Sequence, residues 1–326
     1  MVGARDGNSI SFALKCIVSR VVSGIVGRTL MSPWLLWTFA ALLSWGVWAV
    51  LSKVLGDALS PGLSQAISTL GLLPILIPLA VSKESSLRSA PRIGLAWAFL
   101  GGIISSLGNI AYYAALSGGA KAAAVVPLTA LYPVVTILTA AIVLRERLNG
   151  IQSLGLLLSF VAIWLFNIQD EGSLLSRHVL LALPPIVLWG VSGFLQKLAT
   201  NHLPARTAAL VYLGAFLPVA LFLALRETWP ASLAARTWTL ALALGFFLGF
   251  GNLAVLTAYA RGGKASVIAP LGSLYPVVSV PIAVLLLGET VGKRESIGIL
   301  FALVSVVALA METPATAAAP SPLNPQ

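Results

Sequence analysis

The sequence predicts an all-α integral membrane protein with ten transmembrane helices, arranged as two inverted repeats of five helices. Three observations support this prediction. Charged residues make up only 9% of the 326 residues and hydrophobic residues 58%, whereas an ordinary soluble domain is about 25% charged. The few charges divide the chain into long uncharged runs, and the second half of the chain repeats the first at a nearly constant offset.

Ten uncharged runs account for the ten predicted helices. A membrane-spanning helix needs about 20 mainly apolar residues, and nine of the ten runs have at least 18 residues. The runs are continuously apolar, whereas strands of a transmembrane barrel alternate apolar and polar residues, so helices are expected. The runs cover residues 29–52, 58–82, 93–120, 122–144, 148–169, 178–196, 207–225, 237–260, 265–288 and 296–311.

The excess of basic residues fits a membrane protein better than a nucleic-acid-binding protein. The net charge is +10, but the basic residues are scattered singly, and a nucleic-acid backbone would need a stripe or a cluster of them. We therefore expect a lipid bilayer and a small-molecule substrate as partners, and no nucleic acid; whether the chain is a monomer or a homodimer stays open. The single cysteine, Cys16, excludes an intrachain disulfide.

Both chain ends lie outside the predicted repeats. Residues 1–32 form a basic tail, which fits a cytoplasmic extension, an amphipathic helix on the membrane surface or a targeting peptide. Residues 313–326 are rich in Ala and Pro and are expected to be disordered. With the N-terminus inside, 13 of the 20 Lys and Arg residues lie on the inner side. Because cytoplasmic loops carry this excess, we expect both termini in the cytoplasm, with the chain in a bacterial inner membrane.

The internal repeat is visible at an offset of 143 residues, where about 20 of the 50 positions that follow Gly108 are identical. A unit of five helices is odd, so the second copy enters the membrane from the opposite side, as in many secondary transporters. The expected repeats are residues 33–168 and 178–312. Matching pairs include Trp45-Gly46 with Trp189-Gly190, Gly108-Asn109 with Gly251-Asn252, Lys121 with Lys264, Tyr132-Pro133 with Tyr275-Pro276, and Glu146 with Glu289.

These motifs resemble the EamA family of the drug/metabolite transporter superfamily. The resemblance rests on the Trp-Gly pair in the first helix of each unit, the Lys-Ala entry to the fourth helix, the Pro-Leu and Leu-Tyr-Pro motifs within it, and the Glu at its end. Gly288-Glu289 matches the family's Gly-Glu pair, whereas the first copy has Arg145-Glu146. The resemblance implies ten helices, a central cavity lined by helices one to four and six to nine, and alternating access for small metabolites.

Polar and aromatic side chains inside the helices are the candidates for solute binding. An amide in hydrocarbon needs partners, so Asn109 and Asn252 either bridge neighbouring helices or bind the solute. The aromatic candidates either line a cavity or serve packing, and Trp189 also fits an interfacial belt. The candidates are Trp45, Trp48, Asn109, Tyr132, Trp189, Asn252 and Tyr275, with Gln65 and Gln196 as weaker ones.

Prolines and charges distinguish the fourth and ninth helices. A proline within a helix removes a hydrogen bond and produces a kink, and freed carbonyls are tolerated where they face protein or a cavity. The kinks therefore mark the transport path or only shape the packing; they are expected at Pro127, Pro133, Pro270 and Pro276. The lysines at these helix ends either anchor them by snorkelling or form gates through crossed ion pairs, Lys121 with Glu289 and Lys264 with Glu146.

The positions of the acids bear on mechanism. None of the ten Asp and Glu residues falls in the middle of a predicted helix, where a proton-driven pump usually keeps an ionisable group. We therefore expect a uniporter or an exchanger for a small organic solute such as an amino acid, a metabolite or a drug. The alternative is a structural or sensory membrane protein without transport. No enzyme, cofactor or metal site is expected, because two His and one Cys leave few metal ligands.

Overall fold

The computed structural model describes residues 33–56, 58–82, 87–117, 121–143, 149–166, 177–263 and 265–311, and the regular structure in these ranges is entirely α-helical. The tails 1–32 and 313–326, Glu146 and Lys264 lie outside the described residues. The helices are α1 (Pro33–Gly56), α2 (Pro61–Leu70), α3 (Leu73–Val81), α4 (Arg92–Leu116), α5 (Ala122–Thr129), α6 (Pro133–Val143), α7 (Gly150–Phe166), α8 (Arg177–Thr200), α9 (Ala205–Gly214), α10 (Phe216–Arg226), α11 (Ala235–Ala260), α12 (Ala265–Gly272), α13 (Pro276–Leu287) and α14 (Lys293–Ala310).

Seven helical segments of the described chain are long and apolar enough to cross a membrane. The pair α2 and α3, bent by 43° at its break, makes an eighth if it is counted as one span. Of the other two helices, α7 has only 17 residues and α14 begins with three charged residues. The seven segments are Pro33–Gly56, Arg92–Leu116, Ala122–Val143, Val179–Thr200, Ala205–Arg226, Ala235–Ala260 and Val267–Leu287.

The outer faces of the helices carry large apolar side chains. On α1, Leu36, Phe39 and Leu43 are all exposed, and their spacing of three and four residues places them on one face of the helix. A soluble monomer rarely exposes a contiguous apolar surface of this kind. A hydrocarbon environment around the bundle accounts for it.

Four helical segments are broken, and each break follows the same rule. The first helix of each broken segment ends four residues before a proline. Proline has no N–H to donate to the carbonyl four residues earlier, and its ring clashes with that carbonyl. The helix ends and prolines are Leu70 with Pro74, Thr129 with Pro133, Gly214 with Pro218, and Gly272 with Pro276.

Two of these breaks fall where kinks were expected. Pro133 and Pro276 are the first residues of α6 and α13, a position where the missing N–H costs no helical hydrogen bond. Pro127 and Pro270 instead lie inside α5 and α12.

The two halves of the chain contact each other reciprocally. Helix α4 lies along α8, and α11 lies along α1. A Cβ atom at Gly108 would come within 2.6 Å of the Trp189 indole, and a Cβ at Gly251 would overlap the indole of Trp45. Each tryptophan of a Trp-Gly pair therefore packs on the glycine of a Gly-Asn pair in the other half. Only glycine leaves room for this approach, and it brings the paired tryptophans and asparagines to the centre of the bundle.

Candidate functional site

A cavity lies at the centre of the described bundle, between α1, α4, α8, α9 and α11 and the two broken segments α5–α6 and α12–α13. Its volume is about 50 Å³, measured as the space that the centre of a water molecule can occupy. A single water needs about 10–15 Å³ by this measure, so a few waters or part of a small solute fit in this conformation. The lining residues are Trp45, Trp48, Ser105, Asn109, Tyr132, Trp189, Ser192, Gly193, Gln196, Tyr212, Leu248, Asn252, Val255, Tyr259, Ala269 and Tyr275.

The structure brings together all seven residues chosen from the sequence as cavity candidates, and Gln196 with them. Trp189 therefore lies at the cavity and not in an interfacial belt. Gln65 is not in the cavity wall; its side-chain amide donates to the Thr69 hydroxyl at 3.1 Å within α2. Binding of a solute by the seven residues stays a prediction.

Aromatic rings form much of the cavity wall. The Trp48 indole is stacked on Tyr112, with ring centroids 4.8 Å apart, and meets Trp189 edge-on at 5.6 Å. Its Nε1 atom donates to the Tyr113 hydroxyl at 3.3 Å. Tyr275 meets Trp48 edge-on at 6.5 Å. Rings in such offset and edge-on contacts stabilise one another, so the wall holds a fixed shape and offers ring faces and edges to a planar solute.

Amide side chains supply much of the polarity of the cavity. Asn109 on α4 accepts a hydrogen bond from Trp189 Nε1 at 3.0 Å, which joins α4 to α8. Asn252 on α11 accepts from Gln196 Nε2 at 3.1 Å and donates to the carbonyl of Leu248 at 2.9 Å, which joins α8 to α11. Both asparagines thus bridge helices, as one of the two readings from sequence expected, and both also line the cavity.

Hydroxyl groups complete the polar lining, and none of the lining residues is charged. The Ser192 hydroxyl lies 3.0 Å from that of Tyr212 and donates to the Gly101 carbonyl at 2.9 Å. At the breaks, the Tyr132 hydroxyl donates to the carbonyl of Ala269 across the two halves at 3.4 Å. A charged solute would lose its hydration here without an opposite charge in the described wall, which is costly. The wall suits an uncharged solute.

The expected ion pair between Lys121 and Glu289 takes a different form. Gly288 ends α13 with φ of +67°, a left-handed conformation that favours glycine, and the chain turns so that Glu289 meets the start of α5. The Glu289 carboxylate accepts hydrogen bonds from the backbone N–H groups of Ala122 and Ala123 at 2.8 and 2.7 Å. The first N–H groups of a helix lack partners and carry its positive dipole end, so they satisfy the carboxylate twice.

Lys121, at the same end of the bundle, has other partners. The Lys121 ammonium donates to the Thr290 carbonyl at 3.0 Å and forms an ion pair with Glu295 of α14 at 3.6 Å. Lys121 and Glu289 therefore lie at the same end of the bundle, but in place of the expected ion pair Glu289 caps α5 and Lys121 pairs with Glu295. The other predicted pair, Glu146 with Lys264, lies outside the described residues.

Several lining residues were missed by sequence reasoning because the other repeat has a different type of residue at the matching position. At the offset of 143 residues Ser105 and Tyr259 match Leu248 and Leu116, and at the offset of 144 residues Ser192 and Tyr212 match Trp48 and Ser68. Helical spacing was the usable signal. Residues 248, 255 and 259 share one face of α11 with Asn252, and residues 192, 193 and 196 share one face of α8 with Trp189.

Comparisons with known proteins identify a family and a fold. A family model described as the EamA-like transporter family matches residues 32–168 and again residues 176–311. No curated protein matches the sequence. A solved crystal structure is similar, with a TM-score of 0.61 and 21% sequence identity over 84% of this chain and 94% of the other. At that identity the likeness concerns the fold.

Proposed function

Because the chain belongs to the EamA-like transporter family, we propose that it is a secondary transporter that moves a small organic solute across a membrane by alternating access. Its apolar helices and its family make it an integral, multi-pass membrane protein. The observation that carries the proposal is the central cavity, whose wall is built by both halves of the chain and combines aromatic rings with amides and hydroxyls. The proposed solute is an amino acid, a metabolite or a drug, part of which fits the cavity in this conformation.

The proposed topology has ten spans in two inverted units of five. The bent pairs count as single spans, and α7 and α14 complete the two units. The reciprocal packing of Trp189 on Gly108 and of Trp45 on Gly251 supports this topology, because a two-fold relation between the units exchanges equivalent contacts. Both termini are then cytoplasmic, and a bacterial inner membrane is the proposed location.

The uncharged cavity favours a uniporter or an exchanger over a proton-driven pump. The carboxylates of the described chain, Glu227, Glu289 and Glu295, lie at helix ends. A group that carries a proton across the membrane is usually held near the midplane. Flux down a solute gradient, or exchange against a second solute, needs no such group.

The cap formed by Glu289 is the proposed closure of one side. In the ten-span topology the start of α5 and the end of α13 both lie on the outer side. Glu289 joins these two helix ends through its hydrogen bonds with the N–H groups of Ala122 and Ala123. Alternating access then requires that this cap opens when the cavity faces outward.

Uptake into proteoliposomes tests the function. Purified protein is reconstituted, and amino acids, nucleosides, sugars and aromatic metabolites are screened with and without a proton gradient. We expect saturable, protein-dependent uptake of at least one solute, with no change of interior pH coupled to its entry. Protein-dependent proton movement with the solute would contradict the uniporter or exchanger mechanism. Absence of flux for every solute, with specific solute binding retained, would favour a sensory or structural membrane protein.

A further inference from the structure

One amide donor in the cavity has no partner. Trp189 Nε1 is only a donor, so the Asn109 atom that it contacts at 3.0 Å must be the carbonyl oxygen Oδ1. This fixes the orientation of the amide, and Nδ2 is left without a hydrogen bond although Asn109 is only 1% exposed. A buried donor without a partner is uncommon and calls for an explanation such as an absent ligand.

The equivalent residue in the other half is fully satisfied. Asn252 uses both atoms of its amide, accepting from Gln196 and donating to the Leu248 carbonyl. Since both asparagines line the same cavity, the difference between them identifies which one has a hydrogen bond to offer. Asn252 joins α8 to α11. Asn109 joins α4 to α8 through its oxygen, and its nitrogen donates no hydrogen bond.

A second polar atom near the rings is also available. The buried hydroxyl of Tyr275 makes no hydrogen bond of 3.5 Å or less and lies near the Thr129 hydroxyl, which itself donates to the carbonyls of Val125 and Val126. Asn109 and Tyr275 are connected through the rings of the wall. Asn109 bonds Trp189, whose ring meets Trp48 at 5.6 Å, and Trp48 meets Tyr275 at 6.5 Å.

We propose that Asn109 Nδ2 and the Tyr275 hydroxyl donate hydrogen bonds to an acceptor oxygen of the solute, which is an uncharged aromatic compound whose ring lies against Trp48 and Trp189. This assignment rests on the proposed transport function and names its substrate class. A cation would be attracted by the ring faces, but an ammonium has no acceptor and would leave the Asn109 donor unpaired. An anion would accept from both donors, but it would be buried without an opposite charge among the lining residues.

Calorimetric titration of the detergent-purified protein tests the assignment with ligands that differ in one group. Benzamide and indole-3-carboxamide carry a neutral carbonyl, benzylammonium carries a cation without an acceptor, and benzoate carries an anion. We expect saturable binding of at least one amide, roughly tenfold or more tighter than benzylammonium and benzoate, because benzylammonium leaves the buried donors unpaired and benzoate buries a charge without a counter-charge. Equal affinity for benzylammonium, or no saturable binding of either amide, would overturn the assignment.

Two variants locate the hydrogen bonds. Asn109→Leu keeps the side-chain size and removes the donor together with the acceptor of the Trp189 bond, whereas Tyr275→Phe removes only the hydroxyl. Each is expected to weaken amide binding about 3- to 10-fold, the size of one neutral hydrogen bond, with little change for benzylammonium. Tyr275→Phe keeps the ring and decides the matter if Asn109→Leu fails to fold. Amide affinity that equals wild type in every folded variant would overturn the assignment.

The outcomes separate this assignment from the proposed function. Amide-selective binding that depends on Asn109 or Tyr275, in a protein that moves no solute across proteoliposomes, would uphold the site and refute transport. Solute flux in proteoliposomes without amide selectivity would uphold transport and refute the site.

Discussion

Removal of the Glu289 carboxylate is expected to open the end of the bundle that the proposed topology places on the outer side. Its two hydrogen bonds to the start of α5, at 2.8 and 2.7 Å, are charge-assisted. Such bonds contribute about 1.5–3 kcal/mol each when buried, and loss of a helix cap costs about 0.5–2 kcal/mol. Since Glu289 is half-buried, we take about 2 kcal/mol in all for Glu289→Ala, which corresponds to a roughly 30-fold shift toward the open state.

Labelling of a cavity thiol measures this shift. Leu248→Cys is introduced with Cys16→Ser, and an impermeant maleimide is added from the outer side. If opening precedes labelling, Glu289→Ala raises the labelling rate about 30-fold. The matched control is Glu295→Ala, which removes the 3.6 Å ion pair with Lys121 and a hydrogen bond from Gly292 N–H within the start of α14. Only the ion pair reaches α5, and a pair of this kind is worth about 0.2–1 kcal/mol, so the labelling rate should rise less than about fivefold. A wild-type labelling rate in Glu289→Ala, or a larger effect of Glu295→Ala, would refute the closure by Glu289.

Three further substitutions test the packing, each by the thermal midpoint of the purified protein in detergent. Gly108→Ala places a Cβ 2.6 Å from Trp189 and is expected to destabilise the folded protein by about 1–3 kcal/mol. Its control is Gly150→Ala, where the added Cβ meets no other atom within 4 Å and the midpoint should not fall. Equal midpoints for the two variants would contradict the close approach of Trp189 to Gly108. Trp189→Phe leaves the buried Asn109 oxygen without its donor and should cost about 1–3 kcal/mol; an unchanged midpoint would show that this bond does not form. Gly288→Ala forces a side chain into the left-handed region and should lower the free energy of unfolding by about 1–2 kcal/mol. An unchanged midpoint would contradict the left-handed turn at Gly288.

The sequence motifs predicted which residues lie at the centre of the molecule because the duplication makes each motif appear once in each half. Trp45 and Trp189, and Asn109 and Asn252, stand at matching places in the two halves, and all four line the cavity. The reciprocal packing of each tryptophan on a glycine of the other half depends on how distant helices approach. Sequence spacing within one half carries no information on that approach.

Other features escaped sequence reasoning for identifiable physical reasons. The breaks before Pro74 and Pro218 obey the same rule as those before Pro133 and Pro276, but they lie outside the most similar part of the repeat. The partner of Glu289 was sought among side chains, whereas the structure pairs it with backbone N–H groups, which every residue except proline carries and which no motif marks.

Solute flux through the central cavity is tested most directly by filling it. Ala269 lines the cavity and is buried, so Ala269→Leu adds three carbon atoms to a space of about 50 Å³. Ala96→Leu makes the same change on the exposed side of α4. With a solute from the proteoliposome screen, Ala269→Leu is expected to abolish saturable exchange while Ala96→Leu keeps the wild-type rate. Wild-type exchange by a correctly folded Ala269→Leu protein would show that solute does not pass through this cavity.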